Sequence, residues 1–258
     1  MKCFSKTDVG LVRSENQDRV WTGPLDDGAA AVILCDGMGG ENAGSVASQM
    51  TIDFMCDRIQ KGFRSNISRN YIRNLLITSV TAANSLVYDR ASREEDKRGM
   101  GTTCVAFLAI EDIYYIMNIG DSRVYMLSDN IYQLTKDQTY VQREIDAHRM
   151  TPMEAEASPQ RSVLLQCIGA SEVVQPDFFT GSIEANQCYL LCSDGFRHVV
   201  GSTEIFRLCA PSAADHPAAM KAGLEQLTEL IGRHLDAAGQ DCRRKVGAIR
   251  EIVRGDAE

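Results

Sequence analysis

No stretch of the 258-residue chain approaches the roughly 20 apolar residues that a bilayer-spanning helix needs. The opening MKCFSKTDVG also has no apolar core of signal-peptide length. A cytoplasmic protein without a membrane partner is therefore expected. Basic charge is in deficit: 27 Lys+Arg stand against 35 Asp+Glu, a net charge of -8 with a pI near 5.1. Nucleic acid is not an expected partner, because it is bound mainly through clustered Lys and Arg. CxxC pairs are missing too. The nine cysteines are scattered, several inside apolar runs such as VILC and YLLC, as expected of reduced core thiols. There is no GxxxxGK[ST] phosphate loop, no CxxxxxR signature of a cysteine-based phosphatase, no internal repeat and no Pro/Ser-rich linker. One domain over residues 1–258 is the simplest reading.

What the chain does have is alternating apolar runs and helical stripes. AAVILC at 30–35 has strand length and no polar interruption, as a strand buried on both faces would, and DGMGG after it reads as a turn. A helix is expected from Glu41 to about Gly62. A second is expected over about 68–90, where Ile72, Leu75, Leu76, Val80, Ala83 and Val87 fall on one stripe. TCVAFLAI, IYYIMNI and RVYML then predict three strands whose spacing fits an antiparallel meander. The polar stretch 139–160 predicts a short helix and a mobile flap. CYLLC predicts another strand, and residues 218–236 a last helix with Leu224, Leu227, Ile231 and Leu235 on its core face.

Chemistry concentrates where carboxylates stand near glycine at the ends of apolar runs: Asp36-Gly37, Asp121 and Asp194-Gly195, joined by Asp18 in RSENQDRV. Strand ends project side chains from a rigid scaffold. Several carboxylates converging on one spot repel one another unless a cation neutralises them, and oxygen-only ligation favours Mg²⁺ or Mn²⁺ over zinc. Taken singly, each Asp-Gly is also an ordinary turn dipeptide, so the argument rests on the set.

The ordered series GLVRSENQDRV (10–20), LCDGMGG (34–40), GMGTTCV (99–105), NIGDSRVY (118–125) and LLCSDG (191–196) resembles the metal-dependent protein serine/threonine phosphatases of type 2C, the PPM family. The resemblance implies an α/β fold: a central antiparallel β-sandwich flanked on both sides by helical pairs, with a metal centre at one end. It implies that Asp36 bridges two Mn²⁺ or Mg²⁺ ions, that the Gly37 carbonyl binds one of them, and that Asp194 and Asp241 are ligands. Asp121 would contribute to a third, weaker site of the kind seen in bacterial members. Arg13 would clamp substrate phosphate with paired donors. Asp18 would sit behind the ligands, bonding metal-bound water, with pairing to Arg13 or Arg19 as the structural alternative. Thr102, Thr103, Ser122 and Arg123 read as scaffolding.

The implied reaction is direct hydrolysis of phosphoserine or phosphothreonine by a hydroxide shared between the metals, without a phosphoenzyme. Partners would be phosphorylated proteins, the products of a serine/threonine kinase, and a monomer is expected. Met38 stands where eukaryotic members commonly carry a histidine that protonates the leaving alcohol, so this proton falls to water, as in bacterial relatives. The segment 139–160 would be the family's flap. The ending departs from the pattern: Asp241 is followed by Cys242 instead of Asn, and residues 242–258 are rich in basic residues with little strand character. That departure keeps open a non-catalytic phosphatase-like binding module. A small-molecule phosphatase on the same centre stays open as well.

Overall fold

The structure, a computed structural model, describes residues 2–9, 14–39, 43–64, 66–197, 200–209 and 249–253. Arg13, Asp241 and the helix expected over 218–236 lie outside the described residues.

The sequence pattern of β3 (Ala30–Met38) explains why two layers meet on it. It is apolar at every position from 30 to 35, so both of its faces can be buried. Ala31, Ile33 and Cys35 point to one side, with Cys104, Ala106 and Leu108 of β5 (Cys104–Ile110) and Tyr115, Met117 and Ile119 of β6 (Ile113–Ile119). Val32 and Leu34 point to the other, with Val105, Phe107 and Ile116. The period of two thus assigns residues to two cores.

The first core lies under two helices. In α1 (Ala43–Gly62), Ala47, Ile52, Met55 and Ile59 are buried. In α2 (Arg69–Arg93) the buried stripe is Ile72, Leu76, Val80, Ala83 and Val87. Ser68 starts α2 by accepting a hydrogen bond from the Tyr71 amide, which satisfies one of the helix's orphan donors. Each fully buried aliphatic side chain contributes about 1.5–3 kcal/mol.

The second core is the sandwich itself. Its partner sheet contributes Val124 from β7 (Arg123–Leu127) and Tyr189 and Leu191 from β10 (Cys188–Cys192). Tyr189 packs on Phe107 with ring centroids 4.9 Å apart. The six-stranded sheet runs β2 (Asp18–Pro24), β3, β5, β6, β9 (Asp177–Ser182), with β4 (Gly101–Thr102) paired to the end of β3. The five-stranded sheet runs β1 (Lys2–Lys6), β11 (Ile249–Val253), β10, β7, β8 (Ile131–Gln133). All strand pairs within them are antiparallel.

Three expectations change. DGMGG is not a turn at its start: β3 continues through Asp36 to Met38, because Gly37 and Met38 pair with Thr102 and Gly101. The meander breaks after β6, since the chain at Gly120, with φ +102, turns β7 into the opposite sheet. The final segment does contain a strand. Ile249–Val253 pairs with β1 on one side and β10 on the other, so partners on both edges select an extended backbone that the local sequence signals weakly.

The stretch after β8 holds α3 (Tyr140–Asp146) and α4 (Pro152–Ala157). Thr151 and Glu154 form a capping box at the start of α4. Arg149 donates two hydrogen bonds to Glu144, at 2.7 and 2.8 Å, closing the loop between the helices. Beyond β10 come α5 (Asp194–Arg197) and α6 (Ser202–Cys209).

Candidate metal centre

Asp18 and Asp36 face each other across the β2–β3 ladder. Both are buried, at 1% and 7% exposure. Strand β2 reaches that register because Asn16 turns the chain before it: its side-chain oxygen accepts from the Asp18 amide at 3.0 Å. From the opposite sheet, Ser193 Oγ donates to Asp18 Oδ2 at 3.0 Å. Ser193 directly precedes Asp194, so this bond ties the end of β10 to the Asp18–Asp36 pair. Arg19 does not staple the loop as an ion pair with Asp18; its guanidinium donates to Gln49 and to the carbonyls of Asn16 and Asp18.

The Asp36 backbone is held from every side. Its amide donates to Thr103 Oγ1 at 3.0 Å, and its carbonyl accepts from the Thr103 amide and Thr102 Oγ1, both at 2.9 Å. Thr103 Oγ1 is in turn bonded to Ser122 Oγ at 2.9 Å, beside Asp121. The hydroxyls of the GTT and GDS motifs therefore act as scaffold. Gly37 has to be glycine: a Cβ there would collide with the Gly44 carbonyl and stand 2.7 Å from the Gln17 oxygen. The Gln17 carbonyl also accepts from the Gly37 amide and from Ser48 Oγ, locking α1 against the Asp36-Gly37 end of β3.

Asp121, at 4% exposure, is also at this end of the sandwich. Burial pushes its carboxyl up to about 6, and repulsion from Asp137 and Asp36 adds to that, while Arg197 pulls it back down. Arg197 Nη2 donates to Asp121 Oδ2 at 2.9 Å and lies 3.6 Å from Asp137 Oδ2. Asp137 is chelated by Arg123, with bonds of 2.8 and 2.7 Å. Arg197 and Asp137 were missed by sequence reasoning. The available signal was an arginine one helical turn beyond Asp194, but nothing local names Asp121 as its partner. Ser193 lay inside a quoted motif with no role assigned.

Two fits to a divalent ion can be judged. Asp18, Asp36 and the half-buried Asp194, with the Gly37 backbone, offer oxygen donors and clustered negative charge, which suits Mn²⁺ or Mg²⁺. At Asp121 one carboxylate oxygen is already bonded by the Arg197 guanidinium, which counts against an ion there. Among the described residues no three His, Cys, Asp or Glu side chains form a complete ligand group by themselves; Asp241, expected to complete one, lies outside them, as does Arg13. Among the described cysteines, burial raises Cys35 and pushes Cys192 up to about 12, which disfavours a nucleophilic thiolate at either. A cavity of about 430 Å³ opens between α3, α4 and this cluster, lined in part by Arg123, Asp137, Arg161 and Arg197. Among the described residues no helix is long and apolar enough to cross a membrane.

Comparison with known proteins agrees with this geometry. A family profile described as "Protein phosphatase 2C" matches residues 12–229. The chain is 37% identical over 219 residues to the serine/threonine protein phosphatase PstP of Mycobacterium tuberculosis, covering 83% of this chain and 40% of that longer one. It is 34% identical over 208 residues to the protein phosphatase PhpP of Streptococcus pneumoniae, covering 77% of this chain and 80% of PhpP. Among solved structures, the M. tuberculosis serine/threonine phosphatase PstP/Ppp superposes with a TM-score of 0.81 at 32% identity, covering 98% and 99% of the two chains. The PstP catalytic domain in complex with 2 manganese ions gives 0.76 at 30% identity, covering 98% of each.

Proposed function

The chain belongs to the protein phosphatase 2C family, and on that premise we propose that it is a metal-dependent hydrolase of phosphoserine and phosphothreonine in proteins. The observation that carries this reading is the Asp18–Asp36 pair, joined to the Ser193–Asp194 turn by a buried hydrogen bond. A merely structural domain has no need to gather that much acid at one end of its sheets. Asp36, the Gly37 carbonyl, Asp194 and Asp241 are the groups that would hold two Mn²⁺ or Mg²⁺ ions. When bound, such ions supply the positive charge that acidifies water and offsets the phosphate oxygens.

The chain's own residues do the rest. Thr102 and Thr103 keep the Asp36 backbone from shifting, and Asp18 accepts hydrogen bonds at the rear of the ligand set. Arg13 would present paired N–H donors to the phosphate, orienting it for in-line attack by hydroxide. The reading includes no phosphoenzyme, in keeping with the burial that raises the Cys35 and Cys192 thiols. Met38, half-buried at the end of β3, offers no proton, so the leaving alcohol takes one from water. Residues 139–160 act as a flap beside the site and influence which phosphoproteins bind. We place the protein in the cytoplasm, as a monomer acting on products of serine/threonine kinases.

The test is Mn²⁺-dependent hydrolysis of an aryl phosphate and a phosphothreonine peptide by wild type and Asp36→Asn. Peptide turnover abolished by Asp36→Asn supports the enzyme. A wild type that binds manganese but turns over neither substrate overturns it in favour of a binding module, and a preference for small phosphates would move the substrate class.

A further inference from the structure

We infer that Arg197 is a built-in cation at Asp121, so that this chain holds two divalent ions and has no third site there. The inference rests on the two-ion reading above and limits it. Four side chains carry the argument. Arg197 bonds Asp121 at 2.9 Å and approaches Asp137 at 3.6 Å. Arg123 chelates the same Asp137 with two bonds. Two carboxylates and two guanidiniums sum to zero charge, and three of the four are well shielded, with side-chain exposures of 6% for Asp121, 6% for Asp137 and 13% for Arg197. These four side chains need no metal to balance their own charges.

A divalent ion must come within about 2.0–2.6 Å of a carboxylate oxygen. At Asp121 Oδ2 it would meet the guanidinium already bonded there and would leave the enclosed cluster with two extra positive charges. Arginine does not lose its proton in proteins, so the obstacle does not titrate away. The backbone explains how the arginine gets there: Arg197 is three residues beyond Asp194 in α5, one helical turn, so it emerges at the same end of the sandwich. It acts as a positioning and charge-setting residue and is not itself catalytic.

The test counts bound manganese, by calorimetry and by electron paramagnetic resonance, on the full chain. Wild type, Arg197→Lys and Asp121→Asn should each bind two ions. Arg197→Ala and the more conservative Arg197→Gln should bind three, and Arg197→Ala/Asp121→Asn should return to two. In chelator, Arg197→Gln should melt below wild type, and manganese should raise its melting temperature by more than it raises that of wild type. Three ions on wild type with one lost in Asp121→Asn overturns the inference. So do two ions on both neutral variants. No manganese on any variant would overturn both this inference and the two-ion reading, which separates the two kinds of failure.

Discussion

Asp18 and Asp36 are direct cross-strand neighbours in the β2–β3 ladder, two acids where like charges oppose. Such a pair is destabilising in an ordinary sheet. At the buried end of the strands the Ser193 hydroxyl bonds one of the two acids, and a hard cation is what we propose offsets the pair. Asp18→Asn removes half of the pair while keeping its shape and its bond from Ser193. We expect a loss of about 10–100-fold in metal affinity or activity, the usual effect of changing a group that supports metal ligands. Manganese titration and kcat on the same preparation check it; an unchanged affinity would assign Asp18 to the scaffold.

Gly37→Ala should fail through space. The added methyl would collide with the Gly44 carbonyl and lie 2.7 Å from the Gln17 carbonyl, both backbone atoms with little room to move. Overpacking of this kind costs about 1–3 kcal/mol or more. Urea unfolding in chelator isolates that cost from any effect on metal.

Thr103→Val is nearly the same shape but cannot accept the Asp36 amide or bond Ser122. A buried donor left without its partner costs about 1–3 kcal/mol. Thr103→Ser, which keeps the hydroxyl, should recover most of it. If valine and serine are equally stable, the hydroxyl is not what holds Asp36.

The α3–α4 segment carries a pH signature of its own. The Arg149 hydrogen bonds hold the Glu144 carboxyl down to about 2 from its ordinary 4.5, against a smaller opposing effect of burial. A depressed carboxylate stabilises the fold fully above 4.5 and loses that contribution as pH falls towards 2. Arg149 is largely exposed, so solvent weakens the effect. The melting-temperature gap between wild type and Arg149→Gln should therefore be present at neutral pH, narrow below pH 4.5 and close near 2. A gap that widens with acid would show the sign to be wrong.

Much of the site was legible because its residues sit in local patterns. The AAVILC run ending in Asp36-Gly37 reads as a buried strand delivering an acid. The stripe of α2 follows from helical periodicity, and GTT and GDS announce hydroxyls beside carboxylates. These signals survive because each depends on neighbours within about one turn or one strand.

The long-range pairings came from folding in three dimensions. That β7 leaves the meander for the other sheet, that Ile249–Val253 enters between β1 and β10, that Ser193 bonds Asp18 and that Arg197 bonds Asp121 all join residues far apart in the chain. Which segments bury which faces, and which side chains carry acid, is already set along the chain, because periodicity and composition act locally. Which acid meets which partner depends on how two sheets stack, and no periodicity in one segment encodes the position of another.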